Sequence, residues 1–437
     1  MTDDDTLQRL LEGDTTLFVG DTAAQALGWL GHPERYLGDW LNHVEKLLPR
    51  RHDRTLVLAM GGSASPARLY ADGRANSSLA IIDTSNPDTV ATTDFSNANV
   101  LAASKSGTTI ETQALVAHAL ANGLEVQDLV VITDPGTSLE ELAYSLGSLV
   151  FVADPTTGGR FSGISPFGLI PALYAGWTSD ELRDELEPCH VRQELIARAL
   201  NHADAIAHDV QDGSALFALG ADPISSGGAL WLEQLIAETT GKDDRGFVPV
   251  MQGPLQSYRP RDIMYWHLVA ALLARHLGVD PFNQPDVDRA KRGVFALMEG
   301  EVSWTPALVD RGVLHTALTT SIYNTLQAYA PLAMASELLD LLVRVEGAYG
   351  TASANFGPRY LHSTGQLHKG GPRGVVAVQI VVRPTSDPVR IRGRRYSFHD
   401  LHLAQARSDV DALTAAGRQV FQLVVDDFAE AALLLGV

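Results

Sequence analysis

Between residues 54 and 152 five short stretches of consecutive apolar residues, at 56–59, 79–82, 100–103, 129–132 and 149–152, alternate with segments of helical periodicity. Unbroken hydrophobicity, as opposed to every second residue, marks strands covered on both faces. The pattern therefore predicts an α/β fold, a mostly parallel sheet flanked by helices on either side. Such sheets hold ligands at the carboxyl ends of their strands. Small polar turns follow four of the runs at that edge: Gly61-Gly62-Ser63, Asp83-Thr84-Ser85-Asn86, Ser104 to Thr109, and Asp134-Pro135-Gly136.

The third turn carries the most chemistry. A strand that stops there and restarts as a helix at Ile110 leaves the first helical N–H groups unpaired, with the positive end of the helix dipole behind them. Ser104, Ser106, Thr108 and Thr109 add hydroxyls, Lys105 adds a cation, and Gly107 lets the backbone approach a ligand closely. An N-cap needs one such residue. Four hydroxyls and a lysine in six positions favour a phosphate site over plain capping.

The 437 residues suffice for two or three domains or one bilobal unit. Residues 1–54 read as an N-terminal helical wrap, 55–177 as the first α/β domain, 178–212 as a charged helical connector, and 213–437 as a second α/β domain with a C-terminal extension. In the second domain Ala215 to Gly220 reads as a strand ending in glycine. A helix follows over 229–240, then a run at 247–250, a helix near 262–277, and later apolar runs at 341–343, 375–382 and 420–425.

With 52 acidic and 33 basic residues the formal charge is −19, which argues against a nucleic-acid partner and against anionic membranes. A small anion needs only a local pocket. The one cysteine, Cys189, excludes an internal disulfide and a multi-cysteine metal site. The acidic N-terminus has no apolar core of a signal peptide, and no apolar run approaches membrane-spanning length, so a cytoplasmic protein is expected.

Further candidates lie along the chain. Gly158-Gly159 before Arg160 is a tight turn that aims a guanidinium inward or leaves it solvated at the surface. Gln234 and Glu238, four apart, share one helix face, which looks either at solvent or at something polar within. Gln284 stands at a proline-bounded turn with Lys291 about two helical turns on. Residues 357–372 read as a long polar loop with two histidines, His362 and His368, which lack the further spaced ligand a metal would want.

In this order MGGSASP at Met60, SKSGTTIET at Ser104, GGRFSGISPFGL at Gly158, LEQLIAETTGK at Leu232 and DPFNQPDVDRAK at Asp280 resemble the signature of the phosphoglucose (glucose-6-phosphate) isomerase family. Through YLHSTGQLHKGGP at Tyr360 the likeness is closest to the isomerase portion of bacterial transaldolase fusions. The resemblance implies two sugar-isomerase (SIS) domains and interconversion of glucose 6-phosphate and fructose 6-phosphate through an enediolate. It also implies a sugar-phosphate substrate, no cofactor, no metal, and a homodimer.

Residue by residue, the resemblance implies that Gly62, Ser63, Ser104, Lys105, Ser106 and Thr109 hold the phosphate. Gln234 and Gln284 would position the sugar, Arg160 would stabilise the enediolate, Glu238 would be the base, and Lys291 with a histidine would open the ring. Proton abstraction beside a carbonyl needs a carboxylate and a nearby positive group, which Glu238 and Arg160 supply. One departure concerns the histidine. The family's ring-opening histidine lies between the base helix and the Gln…Lys motif, where this chain offers only His267 and His276, both read as structural. His362 follows Lys291 instead, and either reaches the same place or does something else. In the family this histidine crosses a dimer interface. Two other readings keep the fold: an isomerase that also takes mannose 6-phosphate, and a sugar-phosphate sensor without chemistry, against which a retained base speaks.

Overall fold

The computed structural model describes residues 3–20, 26–287, 293–294, 298 and 309–437. All five apolar runs of the first half are strands: β1 Thr55–Ala59, β2 Leu79–Ile82, β3 Asn99–Ser104, β4 Leu129–Thr133 and β5 Leu149–Val152. They form one parallel sheet in the order β2-β1-β3-β4-β5. Successive side chains of a strand point to opposite faces, and here both faces are buried. Val57, Ala59, Leu101, Ala103, Val130 and Ile132 enter one core, while Leu56, Leu58, Val100, Ala102, Leu129 and Val131 enter another. Two covered faces are the reason the runs are unbroken.

The N-terminal helices Asp3–Leu11, His32–Tyr36 and Asp39–Leu47 pack onto the first of these cores through Leu10, Tyr36, Leu41 and Val44. Helix α1, Ile110–Ala121, follows β3. Helices α2, Gly227–Thr240, and α3, Ile263–Leu277, join the same core through Trp231, Leu235, Leu268 and Leu272. Every residue of α2 is buried. Ser226 caps it by accepting the Ala229 N–H at 3.2 Å, and Gly241 ends it.

Strands β6 Ser214–Ala218 and β7 Gly246–Val250 pair with each other in parallel. A further parallel sheet is built from β8 Tyr323–Tyr329, β9 Ala352–Phe356, β10 Val375–Val382 and β11 Gln419–Val425, in the order β11-β10-β8-β9. The apolar run at 341–343 is not a strand: it lies inside the helix Ala335–Tyr349. Its apolar residues continue the helical repeat of Leu338, Leu342 and Val345, which are buried against that sheet.

The polar loop expected over 357–372 is also corrected. Arg359–His362 form a tight 3-10 turn and Gly365–Gly370 form helix α4, and both are largely buried. Its polar groups find partners inside. Gln366 Nε2 donates to Gly241 O at 3.0 Å and to Asp286 Oδ2 at 2.8 Å, and Lys369 Nζ pairs with Asp409 Oδ1 at 2.5 Å on helix α5, Phe398–Ala415. Among the described residues no helix is long and apolar enough to cross a membrane.

Candidate active site

The carboxyl ends of β1 and β3, the start of α2's last two turns and the 3-10 turn before α4 meet around one cavity of about 300 Å³. Its lining includes Gly62, Ser63, Lys105, Ser106, Thr109, Arg160, Gln234, Glu238, Gln284 and His362. Ser104 stands behind that wall, its Oγ 2.9 Å from Thr109 Oγ1. Lys291 lies outside the described residues. Of the expected site, everything else comes to one place.

Two glycines make the convergence sterically possible. A Cβ on Gly62 would lie 2.3 Å from the carbonyl carbon of Gly159, and one on Gly61, whose φ is +50°, would lie 2.3 Å from His362 O. The turn after β1 is therefore pressed against both the Arg160 turn and the His362 turn, with room for backbone only.

On the facing side Arg160 is buried in the 3-10 turn Gly159–Phe161. Its Nη1 is 3.0 Å from Glu238 Oε1, and its Nη2 donates to Pro281 O at 2.5 Å and Asn283 O at 3.0 Å. Burial pushes the guanidinium below its usual value, and the Glu238 carboxylate opposes that. The same two carbonyls hold the turn that presents Gln284. Lys242, just past α2, adds an ammonium contact to Asp280 O.

Glu238 is only 5% exposed. Gln234 Nε2 donates to its Oε2 at 3.0 Å and to His362 O at 2.9 Å. The Gln234–Glu238 face thus looks into the cavity, not at solvent, because α2 has no solvated side.

On the side of the Ser104–Thr109 turn Lys105 Nζ pairs with Asp134 Oδ2 at the end of β4. Burial raises the Asp134 carboxyl above its ordinary value, with Lys105 pulling the other way. Ser106 and Thr108 are exposed at the mouth, and the Thr108 N–H donates to Ser106 Oγ at 3.3 Å.

His362 Nε2 lies 2.8 Å from Glu111 Oε1, on the first turn of α1. Sequence reasoning passed over Glu111 and Asp134. Both had a signal: Glu111 lies in the SKSGTTIET motif at a helix start, and Asp134 opens a turn at the ligand edge. Burial converts each from a helix-starting or turn residue into part of the site.

His362 lines the pocket of its own chain, beside Glu238 and Arg160. Of the two histidines set aside as structural, His267 is buried among Trp29, Phe161 and Trp231, and burial pushes its imidazole down to about 3. His276 bonds Asp204 at 2.7 Å away from the cavity.

No family model matches this chain. A glucose-6-phosphate isomerase of Rubrobacter xylanophilus is 34% identical over 161 residues, 33% of this chain and 37% of that one. One of Campylobacter jejuni is 28% identical over 170 residues, 36% and 40% of the two chains. One of Symbiobacterium thermophilum is 26% identical over 266 residues, 51% and 57%. The match thus spans between 37% and 57% of the length of these curated relatives. Among solved structures, a glucose-6-phosphate isomerase of Chlamydia trachomatis is 15% identical, covering 68% of this chain and 78% of that one at a TM-score of 0.48. The chain is thus similar to curated glucose-6-phosphate isomerases over a third to a half of its length.

Proposed function

We propose that this protein is an aldose–ketose isomerase that interconverts glucose 6-phosphate and fructose 6-phosphate. The observation that carries the reading is the ion pair Arg160–Glu238, at 3.0 Å, facing the Ser104–Thr109 loop across one small cavity.

The phosphate docks on the hydroxyls of Ser63, Ser104, Ser106 and Thr109, the N–H groups at Gly62 and Lys105, and the α1 dipole. That grip leaves C1 and C2 near Glu238. The carboxylate takes the C2 proton, electrons move into the C1 carbonyl, and an enediolate forms. The O2 hydroxyl proton passes to O1, and as the C2 ketone forms the same carboxyl returns its proton to C1. Arg160 offsets the charge that builds on the oxygens, in a site dry enough to strengthen it. Gln234 and Gln284 orient the hydroxyls. His362, bonded to Glu111, moves the ring-oxygen proton when the pyranose opens, with Lys291 as its partner.

Among the described residues no cluster of three or more potential metal ligands occurs. The reading asks for no metal, since arginine is the electrophile. It places the chain in hexose-phosphate metabolism of the cytoplasm, and pairing of two copies belongs to the same family-based reading.

The test is a coupled assay with glucose 6-phosphate and mannose 6-phosphate side by side, followed in deuterated water. Turnover of glucose 6-phosphate with deuterium entering at C2 is expected. Turnover of both sugars would make the enzyme bifunctional. Binding of fructose 6-phosphate with no exchange at all would overturn catalysis and leave a sensor.

A further inference from the structure

Behind the His362–Glu111 pair runs a line of buried polar groups that the reaction above does not use. Gln405, on α5, is 1% exposed, and its Nε2 donates to Glu111 Oε1 at 2.5 Å. That oxygen is the one 2.8 Å from His362 Nε2. On its other side Gln405 Oε1 accepts the Ser85 hydroxyl at 2.5 Å. Ser85 follows β2, and its Oγ lies 3.1 Å from His402 Nδ1, whose Nε2 is 3.4 Å from Asn86 Nδ2. Ser85, Asn86, His402 and Glu111 are all at least nine-tenths buried.

An amide has one donating and one accepting end. Glu111 can only accept when ionised, and Ser85 supplies a donor, so the two neighbours fix which way the Gln405 amide faces. The fixed amide in turn fixes the rotation of the Glu111 carboxylate and leaves its Oε1 facing the imidazole. The same N–H draws charge from that oxygen.

We propose that Gln405, oriented by Ser85, is a positioning residue that holds Glu111 against His362 for ring opening. The inference rests on the role given to His362 above. Nothing in the motifs between Met60 and Pro372 points to it, because α5 lies beyond them.

The test compares Gln405→Leu and Ser85→Ala with the unaltered chain on two substrates. One is glucose 6-phosphate, which is cyclic. The other is a 4,5-dideoxy aldohexose 6-phosphate, which cannot close a ring. Losing a hydrogen bond to a charged group lowers kcat on the cyclic sugar about tenfold. KM for it stays unchanged, and the open-chain substrate turns over as before. Ser85→Ala, which leaves Gln405 in place, shifts the same ratio by less and keeps the question answerable if Gln405→Leu does not fold. The double variant behaves like Gln405→Leu alone, since both act through one amide.

A second readout needs no turnover. In protein labelled with nitrogen-15, the His362 Nε2–H signal, assigned by its loss in His362→Ala, broadens in Gln405→Leu through faster exchange with solvent. Equal slowing of both substrates, or an unchanged imidazole signal, overturns the inference. A broadened signal in a chain with no isomerase activity sinks the reading of the site and leaves the hydrogen-bond line standing. An active isomerase with an unchanged signal does the reverse.

Discussion

Glu238 receives hydrogen bonds from two cavity residues, Arg160 and Gln234, and either would survive a change of carboxylate to amide. Glu238→Gln is therefore expected to keep binding fructose 6-phosphate while proton exchange at C2 falls by about 10²–10⁴-fold. Isotope exchange measured by NMR checks it, and unchanged exchange would remove Glu238 as the base. Its neighbour Glu233 makes a different prediction. It is fully buried, accepts from Asn355 Nδ2 at 2.6 Å, and burial pushes its carboxyl up to about 7 from 4.5, with Asn355 and Arg359 opposing. Folded chain then holds a proton that unfolded chain releases between those values. Stability from this group is complete below about pH 4.5 and is lost as pH rises towards 7, by about 3 kcal/mol in all. Glu233→Gln keeps an acceptor for Asn355 without the charge, so its denaturation midpoint should exceed that of the unaltered chain at pH 8 and match it near pH 4.5. At this scale the sequence made Arg160 and Glu238 readable because their types and spacing name a reaction. Glu111, Asp134 and Gln405 were not, because their significance is burial and contact, which spacing does not carry.

Among the elements, the turn after β1 shows why glycine pairs are ambiguous in a sequence. Gly61-Gly62 could serve any tight strand-to-helix turn, yet here each abuts a different piece of the site backbone. Gly62→Ala should force the Gly159–Arg160 turn away, costing about 1–3 kcal/mol of stability. It should also lower kcat/KM at least about tenfold as Arg160 shifts from Glu238. Thermal unfolding and steady-state kinetics on the same preparation check both. Intact activity in the Gly62→Ala variant would mean the two turns move independently. The strands tell a parallel story. β1 to β5 were legible because apolar residues fill both faces, whereas β8 and β9 were not, because Asn324, Thr325, Gln327, Ser353 and Asn355 interrupt the pattern. All five are buried, and Thr325 and Gln327 lie 3.3 and 3.1 Å from the ring nitrogens of His368. A strand whose polar side chains are satisfied by a neighbouring helix looks like a loop on paper.

For the molecule as a whole, His362 lines the pocket of its own chain, and the proposed reaction then needs one chain only. Mixing His362→Ala chains with Glu238→Gln chains should restore no activity, whether or not two copies associate. Recovery towards a quarter of the normal rate would show that a partner supplies the histidine after all. Prolonged chelation should leave turnover intact, and loss reversed by a divalent cation would point to a missing ion. Gln234 has a consequence for anyone reshaping this pocket. One side-chain nitrogen there touches both the Glu238 carboxylate and the main chain of His362. In the proposed reaction, opening the sugar and moving its proton are thus hung from a single peg, and loosening it for a new substrate's sake would slacken both operations together.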